Sequence, residues 1–118
     1  MRIAFASEGR GIDSELSSHF GRCPYYVFVD LEGGEIKSIE TRENPFFNQH
    51  EPGVVPKFIS EQGADVIIAG GMGPRAIELF ERLNVEPFTT YPRRIKDILN
   101  DYLDGKLQGA ESCDHKEE

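Results

Sequence analysis

Apolar and polar positions change rhythm several times along this chain, and each change marks an element. In "RIAFAS", residues 2–7, Ile3 and Phe5 alternate with Ala4 and Ala6, the period of two that a strand requires. Residues 8–24 lose the pattern and read as a Gly- and Ser-rich loop. "YYVFVDL", residues 25–31, is aromatic and β-branched throughout and gives the strongest strand signal. "EGGE" at 32–35 is a turn, because two glycines reach positive φ without steric cost. A third strand follows from 35 to 42, and its imperfect alternation suits a sheet edge.

After a Pro-punctuated loop at 43–53, the period lengthens. Val54, Val55, Phe58 and Ile59 share a helical face, Pro56 fits a first turn, and Gly63 stands at the expected stop. "ADVIIAG" is a short continuous apolar run, typical of a strand covered on both faces. "GGMGP" leads into a second helix with Ala76, Ile77, Phe80 and Leu83 as its stripe. "VEPFTT" is the last strand. Pro92 is then expected to open a third helix, with Ile95, Ile98, Leu99, Tyr102 and Leu103 inward and Gly105 as its end. The order β-β-β-α-β-α-β-α predicts a mixed sheet with helices on its faces, an α/β domain over 1–106. The polar stretch 107–118 is expected to form a flexible tail.

Composition narrows the class. The 118 residues suffice for one core, and 38% hydrophobic with 29% charged residues describes a soluble globular chain. A net charge of -8 opposes general nucleic-acid binding. Two cysteines, Cys23 and Cys113, do not make a disulfide scaffold. "MRIAFAS" enters a strand pattern directly, without a secretory signal layout, and no apolar run approaches the roughly 18 residues of a membrane span. A cytoplasmic protein with reduced thiols, and neither nucleic acid nor membrane as partner, is the expectation.

Four stretches carry candidate chemistry. In "AGGMGPRA", a buried strand ends in glycines and Pro74 takes a first helical position, so backbone N–H groups are left exposed to favour an anion. Gly70, Gly71 and Gly73 supply the backbone, and Arg75 adds a fork of donors. The loop is neither a Walker loop nor a G-x-G-x-x-G fingerprint. The alternative is a tight turn that uses glycine for steric reasons alone. "SEGRG", with Ser7, Gly9 and Arg10, also follows a strand. If strands 2–7 and 65–69 lie parallel and adjacent, both glycine loops open on one sheet edge as two lips of a cleft. A solvated side chain is the competing reading for each arginine.

In "SHFGRCPYY", His19 and Cys23 are types of side chain that bind iron or zinc. Two ligands do not close a site, so further ligands must come from elsewhere or from the cargo. An ordinary hydrogen-bonding histidine and a small buried cysteine are the plain alternatives. Gly21 is read as serving backbone geometry, and Arg22 as an anion contact. In the tail "SCDHKEE", Cys113 and His115 could chelate or close over a bound cluster, against the alternative of a solvated end. Enzyme signatures are missing: there is no nucleophile elbow and no H-E-x-x-H. A two-metal nuclease needs clustered carboxylates, and the central strand offers only Asp65, at its far end.

Three matches, "IAFAS", "SSHFGRCPYYVFVD" and "DVIIAGGMGPRAIELF", make the chain resemble the dinitrogenase iron–molybdenum cofactor biosynthesis family over roughly residues 1–105. His-Phe-Gly-Arg, followed by a small residue and an aromatic strand, is the most specific of them. The resemblance implies a three-layer α/β fold of ribonuclease H-like topology, with a mixed five-stranded sheet and helices on both faces. It also implies a non-catalytic carrier for an anionic iron–sulfur or iron–molybdenum-type cluster or its precursor, working between cluster donor and acceptor proteins. By carry-over, His19 matches the family's histidine, and Gly70, Gly71, Gly73 and Arg75 match its glycine-rich turn. At Cys23 the family pattern accepts other small residues. Many members occur in organisms that do not fix nitrogen, so the cargo is not named by the family. A regulatory or interaction domain that binds a small anion or nucleotide in the same cleft is the alternative.

Overall fold

The computed structural model describes residues 1–47 and 53–107. Eight elements follow in the expected order: β1 (Arg2–Ser7), β2 (Tyr25–Glu32), β3 (Glu35–Glu43), α1 (Val54–Glu61), β4 (Val66–Ala69), α2 (Pro74–Arg82), β5 (Glu86–Thr89) and α3 (Ile95–Leu103). The strands form one open sheet in the order β3-β2-β1-β4-β5. β2 runs antiparallel to both β1 and β3, whereas β1, β4 and β5 are parallel. The β2–β3 hairpin turns on Gly33 and Gly34, both at positive φ (63° and 83°), which is the conformation a tight two-residue hairpin demands.

The period of two sorts the core into two layers. On one face Ala4 and Ala6 of β1, Tyr26 and Phe28 of β2 and Ile67 and Ala69 of β4 pack under Val55 and Ile59 of α1 and Ala76 and Phe80 of α2. On the other, Ile3, Phe5, Val27, Val29, Val66, Ile68 and Phe88 pack under Ile95, Ile98 and Leu99 of α3. The alanines of β1 fall on the face that carries two helices, and its large residues on the face that carries one. β4 is buried at every position, as its unbroken apolar run requires.

Two expectations are corrected in detail. The third helix begins at Ile95 rather than at Pro92. Leu16 N–H donates to the Arg93 carbonyl (2.9 Å), and Glu15 bridges Arg94, which keeps the preceding residues out of the helix. The first helical N–H groups are satisfied instead by the 8–24 loop: Ile95 N–H donates to Ser14 O and Lys96 N–H to Ile12 O, both at 2.9 Å. Leu83 and Leu103, placed on helical stripes by periodicity, lie at helix ends and are 37% and 41% exposed. β3 is the edge strand its pattern suggested, with no fully buried residue.

Candidate functional site

Parallel pairing of β1 with β4, in the register Phe5 opposite Ile68, brings their carboxyl ends side by side. The chain leaving β1 and the chain leaving β4 therefore emerge at one sheet edge. Ser17 is fitted between them: its N–H donates to Ala6 O (2.7 Å), and its carbonyl accepts from Gly70 N–H (2.8 Å). Phe20 N–H adds a longer bond to Gly71 O at 3.4 Å. This approach is possible only without side chains. A β-carbon on Gly70 would lie 2.8 Å from Ser17 O and from the Ser18 α-carbon, and one on Gly71 would lie 2.9 Å from Ser18 O.

The two segments wall a cleft of about 380 Å³, lined by residues 18–22 on one side and 70–73 on the other. Its floor is apolar. Met72 is buried, and the half-buried Phe20 ring meets Phe80 edge-on at 5.5 Å between centroids. Its polar groups are the backbone, the exposed Ser18 hydroxyl and two exposed nitrogen-bearing side chains, His19 and Arg22. Neither side chain makes a hydrogen bond or ion pair with the described residues, and the N–H groups of Gly21, Arg22, Gly71, Met72 and Gly73 have no acceptor among them. Gly73 caps α2 with no side-chain hydrogen bond, and Pro74 occupies the first turn. The lining contains one imidazole, one guanidinium and no carboxylate or thiol. That donor set suits an anionic guest that brings its own metal ligands, and it suits a bare divalent cation poorly.

The other expected residues lie elsewhere. Arg75 is exposed in the first turn of α2, outside this lining. The 7–11 loop does not form the second lip. Ser7 is fully buried and its hydroxyl donates to Gly9 O (2.6 Å). The Arg10 guanidinium pairs with Glu43 at 3.3 Å and sits 4.8 Å from the centre of the Tyr25 ring. The lip is formed by 18–22 instead. Gly21 has open space where a β-carbon would stand and no positive φ, so its local geometry does not require glycine. Cys113 and His115 lie outside the described residues. Among the described residues, no three His, Cys, Asp or Glu side chains gather as a metal site.

Cys23 is fully buried, and its thiol donates to the Phe20 carbonyl at 3.4 Å. Burial pushes that thiol up to about 11, so it stays protonated at neutral pH and serves as packing beneath the loop. Tyr26 is likewise buried and raised well above its ordinary value by burial, and its hydroxyl donates to the same carbonyl. Asn44 went unnoticed in the sequence. It is 5% exposed, and its side-chain NH2 donates to Cys23 O (2.9 Å) and Gly21 O (3.3 Å) while its Oδ1 accepts from Phe46 N–H (2.9 Å). Its place in a Pro-rich polar loop was the only available signal, and that signal reads as a turn residue.

A small α/β chain with an anion-suited cleft at the carboxyl edge of its sheet can be compared with known proteins. The family model described as dinitrogenase iron-molybdenum cofactor matches residues 1–105, and the chain belongs to that family. An uncharacterized protein of Methanocaldococcus jannaschii is 34% identical over 101 residues, covering 84% of this chain and 86% of that one. The crystal structure of PH0822 is 42% identical, with a TM-score of 0.82 over 92% of this chain and 96% of that one. The apo form of the orange protein from Desulfovibrio gigas, at 24% identity, shares the fold with a TM-score of 0.84, covering 94% and 93% of the two chains.

Proposed function

We propose that this protein is a non-catalytic carrier that binds an anionic iron–sulfur or iron–molybdenum-type cluster, or its precursor, and passes it between a donor and an acceptor protein. The observation that carries this reading is the pairing of His19 and Arg22, both exposed and without a described partner, in one carboxylate-free cleft with the glycine turn. The imidazole can ligate one iron, the guanidinium and backbone N–H groups can hold sulfide or oxo edges by charge-assisted bonds, and few direct ligands favour release. The family's description agrees with such a cargo. Arg75, in the first turn of α2, adds positive charge to that end of the helix. The strand order, with β2 alone reversed, supports the ribonuclease H-like reading of the topology. No helix among the described residues is long and apolar enough to cross a membrane, and a cytoplasmic site of action is part of the proposal.

The test is anaerobic incubation with ferrous iron, sulfide and molybdate, followed by desalting and metal analysis. A coloured, stoichiometric complex is expected, and no retained metal would refute the carrier reading. The uncapped start of α2 favours one second reading, a small oxyanion or nucleotide in the same cleft. Melting shifts across a phosphate and nucleotide panel separate it from the first.

A further inference from the structure

The wall formed by residues 18–22 is polarised by side chains that lie beneath it. Three of its carbonyls, those of His19, Phe20 and Gly21, accept from buried side chains. Ser17 Oγ donates to His19 O at 3.0 Å. Tyr26 OH and Cys23 Sγ both donate to Phe20 O. Asn44 Nδ2 donates to Gly21 O and, two residues on, to Cys23 O. On the donor side, the N–H groups of Gly21 and Arg22 reach no acceptor among the described residues. A stretch whose His19, Phe20 and Gly21 carbonyls are occupied while its Gly21 and Arg22 amides are free presents a surplus of donors, which favours an anion.

We infer that Asn44 and Tyr26 are positioning residues for the anion cleft: they hold the Gly21 and Phe20 carbonyls away from the guest so that the Gly21 and Arg22 amides face it. Neither residue lines the cleft, and both act through the backbone. Asn44 stands at the end of β3 and Tyr26 near the start of β2, and the two strands pair in the register Tyr25 opposite Glu43. The rigid hairpin thus fixes the wall from below. Asn44 N–H also donates to Pro24 O (2.9 Å), so the asparagine is itself held by the backbone. Buried donors of this kind are costly to leave unpaired, which makes their placement on two carbonyls of one cleft wall, Phe20 and Gly21, specific.

This inference rests on the cleft being the anion site proposed above. It is tested by titrating the ¹⁵N-labelled protein with molybdate, a tetrahedral dianion, and following the amide resonances. In the wild type, the Gly21 and Arg22 amides are expected to shift with the same saturation curve as Gly71 and Gly73. Asn44→Asp keeps the shape of the side chain and the acceptor for Phe46 but loses both donors. Tyr26→Phe loses only the hydroxyl. Each variant should bind molybdate roughly tenfold more weakly, with the Gly21 and Arg22 shifts reduced and the resonances of β1 and β4 unchanged. Wild-type affinity in both variants overturns the positioning role and leaves the cleft assignment standing. A wild type whose Gly21 and Arg22 amides do not respond also overturns it, and the cluster-retention experiment then decides separately on the carrier reading.

Discussion

The amide of Gly70 donates to the carbonyl of Ser17 at 2.8 Å, and no β-carbon can stand on Gly70 without coming equally close to that same oxygen. The bond that joins the two walls of the cleft is therefore also the reason for the glycine. Gly70→Ala is expected to force the walls apart at a cost of about 1–3 kcal/mol, the usual range for overpacking. Chemical denaturation should show a lowered midpoint with an unchanged slope. Gly73→Ala has open space at its β-carbon and should be tolerated. Equal stability of the two variants would remove the steric account of the glycine turn.

His19 separates function from stability. Its side chain is exposed and unpartnered among the described residues, so His19→Ala should alter stability by less than about 0.5 kcal/mol. The same change should weaken cluster retention by about tenfold or more. Metal-to-protein ratios after anaerobic desalting, beside a thermal melt of the apo protein, measure both effects.

Alkaline titration reports on the buried thiol. The folded state holds Cys23 protonated up to about 11, against 9.0 for the free group, so the unfolded chain ionises first as pH rises. The stabilisation is fully present below pH 9.0 and is lost on rising toward 11, at about 1.4 kcal/mol per pH unit. Cys23→Ala should remove that part of the slope, with Tyr26 and Tyr102, both raised by burial, contributing to what remains. A variant with the wild-type slope would show that the thiol is not the group responsible.

Acid titration reports on a different cluster. Arg2 of β1 bridges Asp30 of β2 (2.8 Å) and Glu40 of β3 (2.7 Å), tying three strands. The Ser38 hydroxyl and then Arg2 hold Asp30 below its usual range, and Arg2 does the same for Glu40. Both groups therefore stabilise the fold above the ordinary carboxylate pKa, and their contribution falls away as pH drops through the depressed values. Arg2→Met should flatten the acid limb of a stability-against-pH curve. An unaltered limb would place the acid sensitivity elsewhere.

How far the sequence reveals this depends on whether a feature is local. The aromatic run at 25–31 and the apolar run at 66–69 mark β2 and β4 because side-chain period is set within each strand. The glycine turn after β4 shows the site's position, since backbone approach needs glycine wherever the partner lies. The grip of Asn44 on Gly21 and Cys23 spans more than twenty residues of chain and leaves no periodic trace. Arg10 appears as a cleft residue in the linear reading because it follows a strand, and only the pairing of β2 with β3 brings Glu43 close enough to claim it. The start of α3 depends in the same way on a loop some eighty residues upstream.

The sheet is open, so each of its ends presents backbone groups that an incoming strand from another molecule could template upon. The two ends deter that by different means. β5 carries Pro87, which has no N–H to offer. β3 has a full set of donors and instead sets Glu35, Lys37, Glu40, Arg42 and Glu43 along nine residues. Their alternating signs form ion pairs within the strand and with the hairpin, such as Arg42 with Glu40 and Lys37 with Glu32. A second copy aligning there would have to set its own strand against this row of charges. Charge thus guards the outermost strand, at the far side of the sheet from β5.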